Sequence, residues 1–417
     1  MKRKLYLLTE TFPYGVGEKT FIFPELEELV KKFDVTIISH AARPVYQDKK
    51  NRTDLSAEIK VVNLPIELKW YKRVLYGLRF LFDRDGRQEI RKILKSREDI
   101  VQRIYQSMGF FGLALENYRL MEKNGLLSKE TGIIYYTYWY FYYTYSIVRY
   151  KRKSAGIKLI TRAHGFDLYA ERYKGNRQPF KEIMDCGIDK IFFISANGKE
   201  YYLNKYNWKN SSKYEIRRLG TVETEKSKKN YALSSGKVFR LVSCSSVIPL
   251  KRVDLIVKAL SLIEEPIEWI HFGDGIEYDH ITKLADRLLA DKPWISFYLK
   301  GYVSNDKVIK YYQENAVDCF ISTSSTEGLP VSIQEAMSFG IPIIATNVGG
   351  VKELVEKNGI LLSANPSIQE VAEAILKISK MPEYMRDSMR LVSRKLWEKD
   401  YDAVQNSKVF VEELLSI

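Results

Sequence analysis

Residues 327–350 read EGLPVSIQEAMSFGIPIIATNVGG, and their order of residue types decides the fold. Gly328-Leu329-Pro330 is a tight loop, and Val331 opens a helical run that Gly340 and Pro342 stop. The β-branched run IPIIATN (341–347) then reads as a buried strand. A helix beginning just after Glu327 points unpaired N–H groups and a partial positive charge at the loop, which suits an anion. Glu335 lies about one turn inside, roughly 6 Å along the axis. Two carboxylates beside such an end could accept hydroxyls flanking a diphosphate. A solvated surface loop is the plainer alternative; the small-residue helix start and the strand exit favour the former.

Working outward, short β-branched or aromatic runs alternate with amphipathic stretches along the chain. Strands are expected at 4–8, 34–39, 60–64, 133–138, 157–162, 190–195, 238–244, 267–272, 295–301, 318–323 and 341–347. This alternation predicts βαβ units and an α/β fold of two Rossmann-like, doubly wound parallel-sheet domains with a cleft between them. The polar run VETEKSKKNYALSSGK (222–237) is the expected linker. The domains are then 1–222, joined by a C-terminal helix from about 398 to 417, and 236–397.

A length of 417 residues suits two domains, and 45% hydrophobic residues suffice for packed cores. The net charge of +14 is unevenly spread. Residues 1–220 hold 42 Lys and Arg against 25 Asp and Glu, whereas 221–417 hold 24 against 27. The basic half should lie near anions, or simply be a solvated surface. Cys186, Cys244 and Cys319 lie far apart, without metal-ligand spacing, which fits a reducing compartment. The opening MKRKLYLLTE has too short an apolar run for a signal peptide, and IIYYTYWYFYYTYSIV (133–148) is too short and hydroxyl-rich for a span. A cytoplasmic protein is expected. Residues 66–125, including IELKWYKRVLYGLRFLF, are read either as a membrane-touching region on the inner face or as a packed helical insertion with a basic face.

Residues 301–355, together with SCSSVIPLKRVDLIVKAL (243–260) and HFGDGIEYDHI (271–281), resemble the signature of family 4 retaining glycosyltransferases of bacterial polysaccharide type, which have the GT-B fold. ETFPYGVGEKTFIFPELEEL (10–29) looks like that family's glycine loop, LITRAHGFDLY (159–169) its histidine segment, and Trp397 with Tyr401 its terminal helix. The resemblance implies a hexosyltransferase using a UDP- or GDP-sugar as co-substrate, without a resident cofactor or metal. It gives Glu327 the donor sugar's hydroxyls, Glu335 the ribose, and the backbone of Gly328, Leu329, Pro330 and Val331 the sugar and phosphate. Lys251 would neutralise the leaving diphosphate, with Glu327 and His164 the other catalytic residues. Gly15, Gly17, Gly273, Tyr302 and Val303 complete the donor site. The family's arginine five residues before the lysine is replaced by Ser246, a departure for which the adjacent Arg252 is the candidate compensation.

Read as residues alone, Gly15 and Gly17 could be a simple turn, and His164 a structural histidine that Asp167 and Arg162 orient. Asp83-Arg84-Asp85 matches a DxD metal motif, but its place before Gly86 and a charged helical run predicts a turn and helix cap. The expected acceptor is a lipid-linked or other oligosaccharide in surface-polysaccharide assembly. A non-catalytic sugar-nucleotide-binding subunit is the alternative. Nucleic-acid binding accounts only for the charge and is not expected.

Overall fold

The computed structural model describes residues 2–15, 17–48, 52–173, 175–224 and 238–417, so most of the expected linker (225–237 of 222–237) lies outside the described residues. The chain forms two compact units, Met1–Arg217 with Ser407–Ile417, and Arg218–Asn406.

The first unit is built on a parallel sheet of β1 (Arg3–Thr9), β2 (Phe33–Ser39), β3 (Lys60–Asn63), β4 (Ile134–Thr137), β5 (Lys158–Ala163), β6 (Lys190–Phe193) and β7 (Tyr214–Ile216). Their order is β3-β2-β1-β4-β5-β6-β7. The second unit holds β8 (Phe239–Cys244), β9 (Ile267–Phe272), β10 (Ile295–Leu299), β11 (Cys319–Ser322), β12 (Ile343–Thr346) and β13 (Gly359–Leu362). These are ordered β10-β9-β8-β11-β12-β13, all parallel. This is the doubly wound arrangement, whose order reverses between β1 and β4 and between β8 and β11. Ligands of such sheets bind beyond the strand ends at that reversal.

Two strands escape the sequence pattern. β7 has only Tyr-Glu-Ile and β13 is four residues opening on glycine; each closes the edge of its sheet, where half-exposure dilutes the hydrophobic signal. The chain's end also differs from the single stretch expected. Helices Glu383–Asp400 and Ala403–Leu415 are separate, because Tyr401-Asp402 forms a break. There Thr221 bridges to Asp402, and the Asp402 carboxylate accepts from the Val404 N–H at 2.8 Å. Trp397 donates to Thr221 Oγ1 at 2.7 Å and Tyr401 OH to the Glu353 carbonyl at 2.8 Å, both inside the second unit.

The tyrosine-rich stretch 133–148 forms β4, a turn and the helix Tyr142–Lys151, in the core of the first unit. Some of its buried tyrosines bond through their hydroxyls, whereas the Tyr138 and Tyr143 hydroxyls have no partner among the described residues. Tyr135 donates to the Leu126 carbonyl at 2.9 Å and Tyr145 to Asp85 at 2.8 Å. The DxD is a cap, as its sequence predicts. Asp83 accepts from the Asp85 N–H and forks onto Arg149 at 3.0 Å, while Asp85 accepts from Arg152 at 2.6 Å. No described helix is long and apolar enough to cross a membrane.

Candidate functional site

In the second unit the loops after β8 and β11 meet at the order reversal. The β8 loop ends in a short turn, Pro249–Lys251, and Arg252 takes a left-handed conformation (φ 47°) before the helix Val253–Leu260. That turn presents Lys251, whose Nζ donates to Glu327 Oε1 at 2.5 Å. Both side chains are partly exposed. The two strongest sequence candidates therefore form one ion pair across the gap between β8 and β11.

Arg252 does something else. Its guanidinium donates to the carbonyls of Thr323, Ser324 and Ala364 and to Asn365 Oδ1, at 2.8–3.1 Å. Those bonds take four of its five N–H groups, so Arg252 braces the β11 loop rather than standing in for the missing basic residue. Ser246 is exposed on the β8 loop.

The Glu327 loop is held from both sides. Thr323 Oγ1 donates to the carbonyls of Lys251 and Arg252, at 3.2 and 2.8 Å, and the Ser325 N–H to that of Leu250 at 2.8 Å. On the other side the Gly350 N–H donates to the Gly328 carbonyl at 2.8 Å. Gly349, with φ 55°, lies so close that a Cβ there would stand 1.9 Å from the Glu327 carbonyl oxygen. The Gly349-Gly350 pair thus sets the position of Glu327, a role its place at the end of the quoted stretch did not reveal.

Leu329 and Pro330 are buried, and the helix runs Val331–Ser338 with Pro330 as its N-cap. Its first-turn N–H groups have no intrahelical acceptor. The helix stops at Gly340 (φ 67°), where the Ile341 N–H reaches back to the Ala336 carbonyl at 3.1 Å. Glu335 is buried and accepts from Asn305 Nδ2 at 2.6 Å. Burial pushes its carboxyl up to about 7, with the Asn305 bond opposing. Cys244, ending β8, lies near both candidates: burial and then the Glu335 carboxylate push its thiol up to about 12, with Lys251 opposing.

Gly273 (φ 147°) bonds to Gly301 at 2.9 Å and packs so tightly that a Cβ would meet the Ser245 carbonyl oxygen at 1.8 Å. Its role is to bring the β9 loop onto the β8 loop. Tyr302 is exposed and Val303 half-buried just beyond.

In the first unit, Gly15 takes a positive φ of 73° in the loop after β1, and Gly17 has open space where a side chain would stand. The loop is shaped by Glu18, which the sequence reading passed over. Its carboxylate accepts the N–H groups of Glu10, Thr11 and Phe12 and the Trp139 indole N–H. Trp139, beyond β4, also lies against the His164 ring, centroids 4.2 Å apart. One side chain therefore ties the glycine loop to the histidine segment across the β1–β4 reversal. His164 Nδ1 faces Asp167 Oδ2 at 3.5 Å, and Asp167 accepts the N–H groups of His164 and Tyr140 at 2.7 and 2.8 Å. His164 Nε2 is buried without a hydrogen-bond partner among the described residues. Arg162 does not orient it: its partners are Glu25, the Tyr136 hydroxyl and the Arg217 carbonyl.

Residues 224–394 match the family model described as glycosyl transferases group 1. That segment is similar to group 1 glycosyl transferases. An uncharacterized glycosyltransferase of Haemophilus influenzae is 28% identical over 239 residues, 54% of this chain and 63% of that one. The putative teichuronic acid biosynthesis glycosyltransferase TuaC of Bacillus subtilis is 30% identical over 155 residues, 36% of this chain and 35% of its own. The chain thus spans less than two thirds of the length of either relative. HepE of Anabaena, solved in complex with UDP and glucose, superposes with a TM-score of 0.67 at 15% identity, covering 100% of both chains. That likeness gives the fold, GT-B. The resemblance of 243–260, 271–281 and 301–355 to group 1 glycosyltransferases is therefore borne out.

Proposed function

We propose that the segment similar to group 1 glycosyl transferases makes this chain a retaining glycosyltransferase. It moves a hexose-type sugar from a UDP- or GDP-sugar to an acceptor hydroxyl on a lipid-linked oligosaccharide in surface-polysaccharide assembly. The observation that carries the reading is the Lys251–Glu327 pair at the β8–β11 reversal, beside the helix start at Val331. It offers a cation and free N–H groups to a diphosphate, and carboxylates to hydroxyls on either side of it.

Arrival of the donor exchanges Lys251's partner from Glu327 to phosphate oxygen, and the freed Glu327 oxygen accepts a sugar hydroxyl. As the glycosidic bond to the diphosphate breaks, negative charge grows on the leaving oxygen. Lys251 and the Val331 helix start stabilise that charge, each good donor contributing about 3 kcal/mol. The acceptor hydroxyl attacks from the same face and passes its proton to the leaving phosphate, so the chain supplies no base for that step. In the first unit, His164 Nε2 is one of several buried atoms without a hydrogen-bond partner among the described residues, and in this route it is assigned to substrate. No step in this route calls on a resident metal.

Donor class is tested by thermal shift against UDP-, GDP- and ADP-sugars, and product linkage analysis then tests retention. Glu327→Gln is expected to lower transfer by more than ~100-fold with the melting temperature kept; undiminished turnover would remove Glu327 from the site. Exposed Ser246 and the committed Arg252 favour one second reading, a non-catalytic sugar-nucleotide-binding subunit. Donor hydrolysis by the purified protein rejects it, and binding without turnover on any acceptor supports it.

A further inference from the structure

Three helices of the first unit, Trp70–Phe82, Arg84–Ser96 and Ile100–Lys123, fill the insertion between β3 and β4. The first carries large apolar residues on its outward face as well as on its inward one. Its inward residues are Tyr76, Gly77 and Phe80. Tyr76 OH donates to buried Glu116 at 2.6 Å, Phe80 meets Phe111 at 5.6 Å between centroids, and Gly77 lies against Met108. Those contacts fix the helix's rotation. At 100° per residue, Trp70, Val74, Leu75, Leu78, Leu81 and Phe82 then fall on one outward arc of about 140°. All six are exposed, Trp70 and Phe82 to 77%.

Arg79 borders the arc on one side; Lys69, the N-cap, and Arg73, in the first turn, are exposed at the start of the helix. None of the three has an ion-pair partner among the described residues, whereas Lys72 is paired with Glu116. Beneath the start of the helix lies a cavity of about 550 Å³ lined by Leu68, Arg73, Tyr76, Tyr105, Met108 and Gly109. Gly109 leaves open space where a side chain would stand.

We propose that this outward face is a docking surface for an anionic lipid bilayer. The helix lies in the headgroup region with its apolar arc among the acyl chains, and the cavity beneath it receives one chain. An apolar arc with aromatic ends, Arg79 on its border and Lys69 and Arg73 at the helix start matches the layering of such a surface, apolar below and anionic above. A second copy of the chain fits less well, since pairing the two arcs would set unpaired Lys69, Arg73 and Arg79 against their own like charges. The inference rests on this face alone and stands whatever sugar the protein transfers.

The full chain is tested by flotation with vesicles of phosphatidylcholine, alone or mixed with phosphatidylglycerol. Binding is expected only with phosphatidylglycerol, and it should weaken with salt. Arg73→Glu with Arg79→Glu, and separately Leu78→Ser with Phe82→Ser, should each lower binding at least ~10-fold. Because the substituted side chains are exposed, unchanged circular dichroism melting is expected for both. Gly109→Trp, which fills the cavity, should weaken binding with the charges intact. Binding retained by both double variants would overturn the proposal. So would absence of vesicle binding, including the case of a reversible dimer that Leu78→Ser with Phe82→Ser dissolves.

Discussion

Glu335 illustrates how burial sets chemistry at one residue. Its carboxyl is pushed up to about 7 because the helix holds it away from water with Asn305 Nδ2 as a donor. The folded chain thus holds a proton that the unfolded chain releases near pH ~4.3. Between those values stability falls as pH rises, since the native state binds more protons. Hydroxyl recognition runs the other way. A carboxylate accepts two hydroxyls only when ionised, so nucleoside diphosphate affinity is expected to rise with pH up to about 7 and level off above it. Titration calorimetry on both sides of that value checks this, and Glu335→Gln should flatten the profile. A steep profile surviving in the Gln variant would assign the titration elsewhere. The glutamate was legible in sequence through its distance from Glu327, but its donor was not. Asn305 opens a helix thirty residues earlier in the chain, and nothing local marks it as a partner.

At the scale of elements, the candidate site is a set of loops shaped by their neighbours. Gly349→Ala introduces a Cβ 1.9 Å from the Glu327 carbonyl oxygen at a position whose φ is 55°. The expected result is a loss of about 1–3 kcal/mol in urea unfolding and a weakening of donor binding greater than the stability loss explains. A variant that melts normally and binds normally would show the loop to be positioned by Thr323 and Ser325 alone. The strands were read readily because β-branched runs announce themselves, whereas Lys251 was marked only by the resemblance of 243–260. The Trp139 link between Glu18 and His164 was not, since it joins three segments that only the sheet order brings side by side. Asp167→Asn tests that side: it leaves one amide oxygen for two backbone N–H groups that now use separate carboxylate oxygens, and it removes the negative charge facing the His164 ring. Transfer should fall by at least ~10-fold, with KM little changed if His164 acts in the chemical step.

At the scale of the molecule, charge and connectivity are both uneven. The excess of basic residues sits in 1–220, the same half that carries the outward apolar helix. Connectivity returns as well, because Ser407–Ile417 belongs to the first unit. Phe410 lies under the buried Arg162 guanidinium at 4.5 Å and against Tyr136 and Phe192. Phe410→Ala should therefore cost about 3–5 kcal/mol in the unfolding of that unit, measured by urea titration. From the sequence, a single helix from about 398 to 417 is expected to join the first domain, whereas residues up to Asn406 belong to the second unit. What the sequence hid was the break at Tyr401-Asp402, since amphipathic spacing runs on through both helices.

That returning tail bears on biosynthesis. By the time a ribosome nears residue 406, all seven strands of the first sheet have been made, but Phe410, which lies over Arg162, has not. The first unit is therefore finished by a segment made after the whole of the second, and a chain released before residue 407 would lack Phe410 over Arg162 while keeping the Glu25 and Tyr136 partners of that guanidinium.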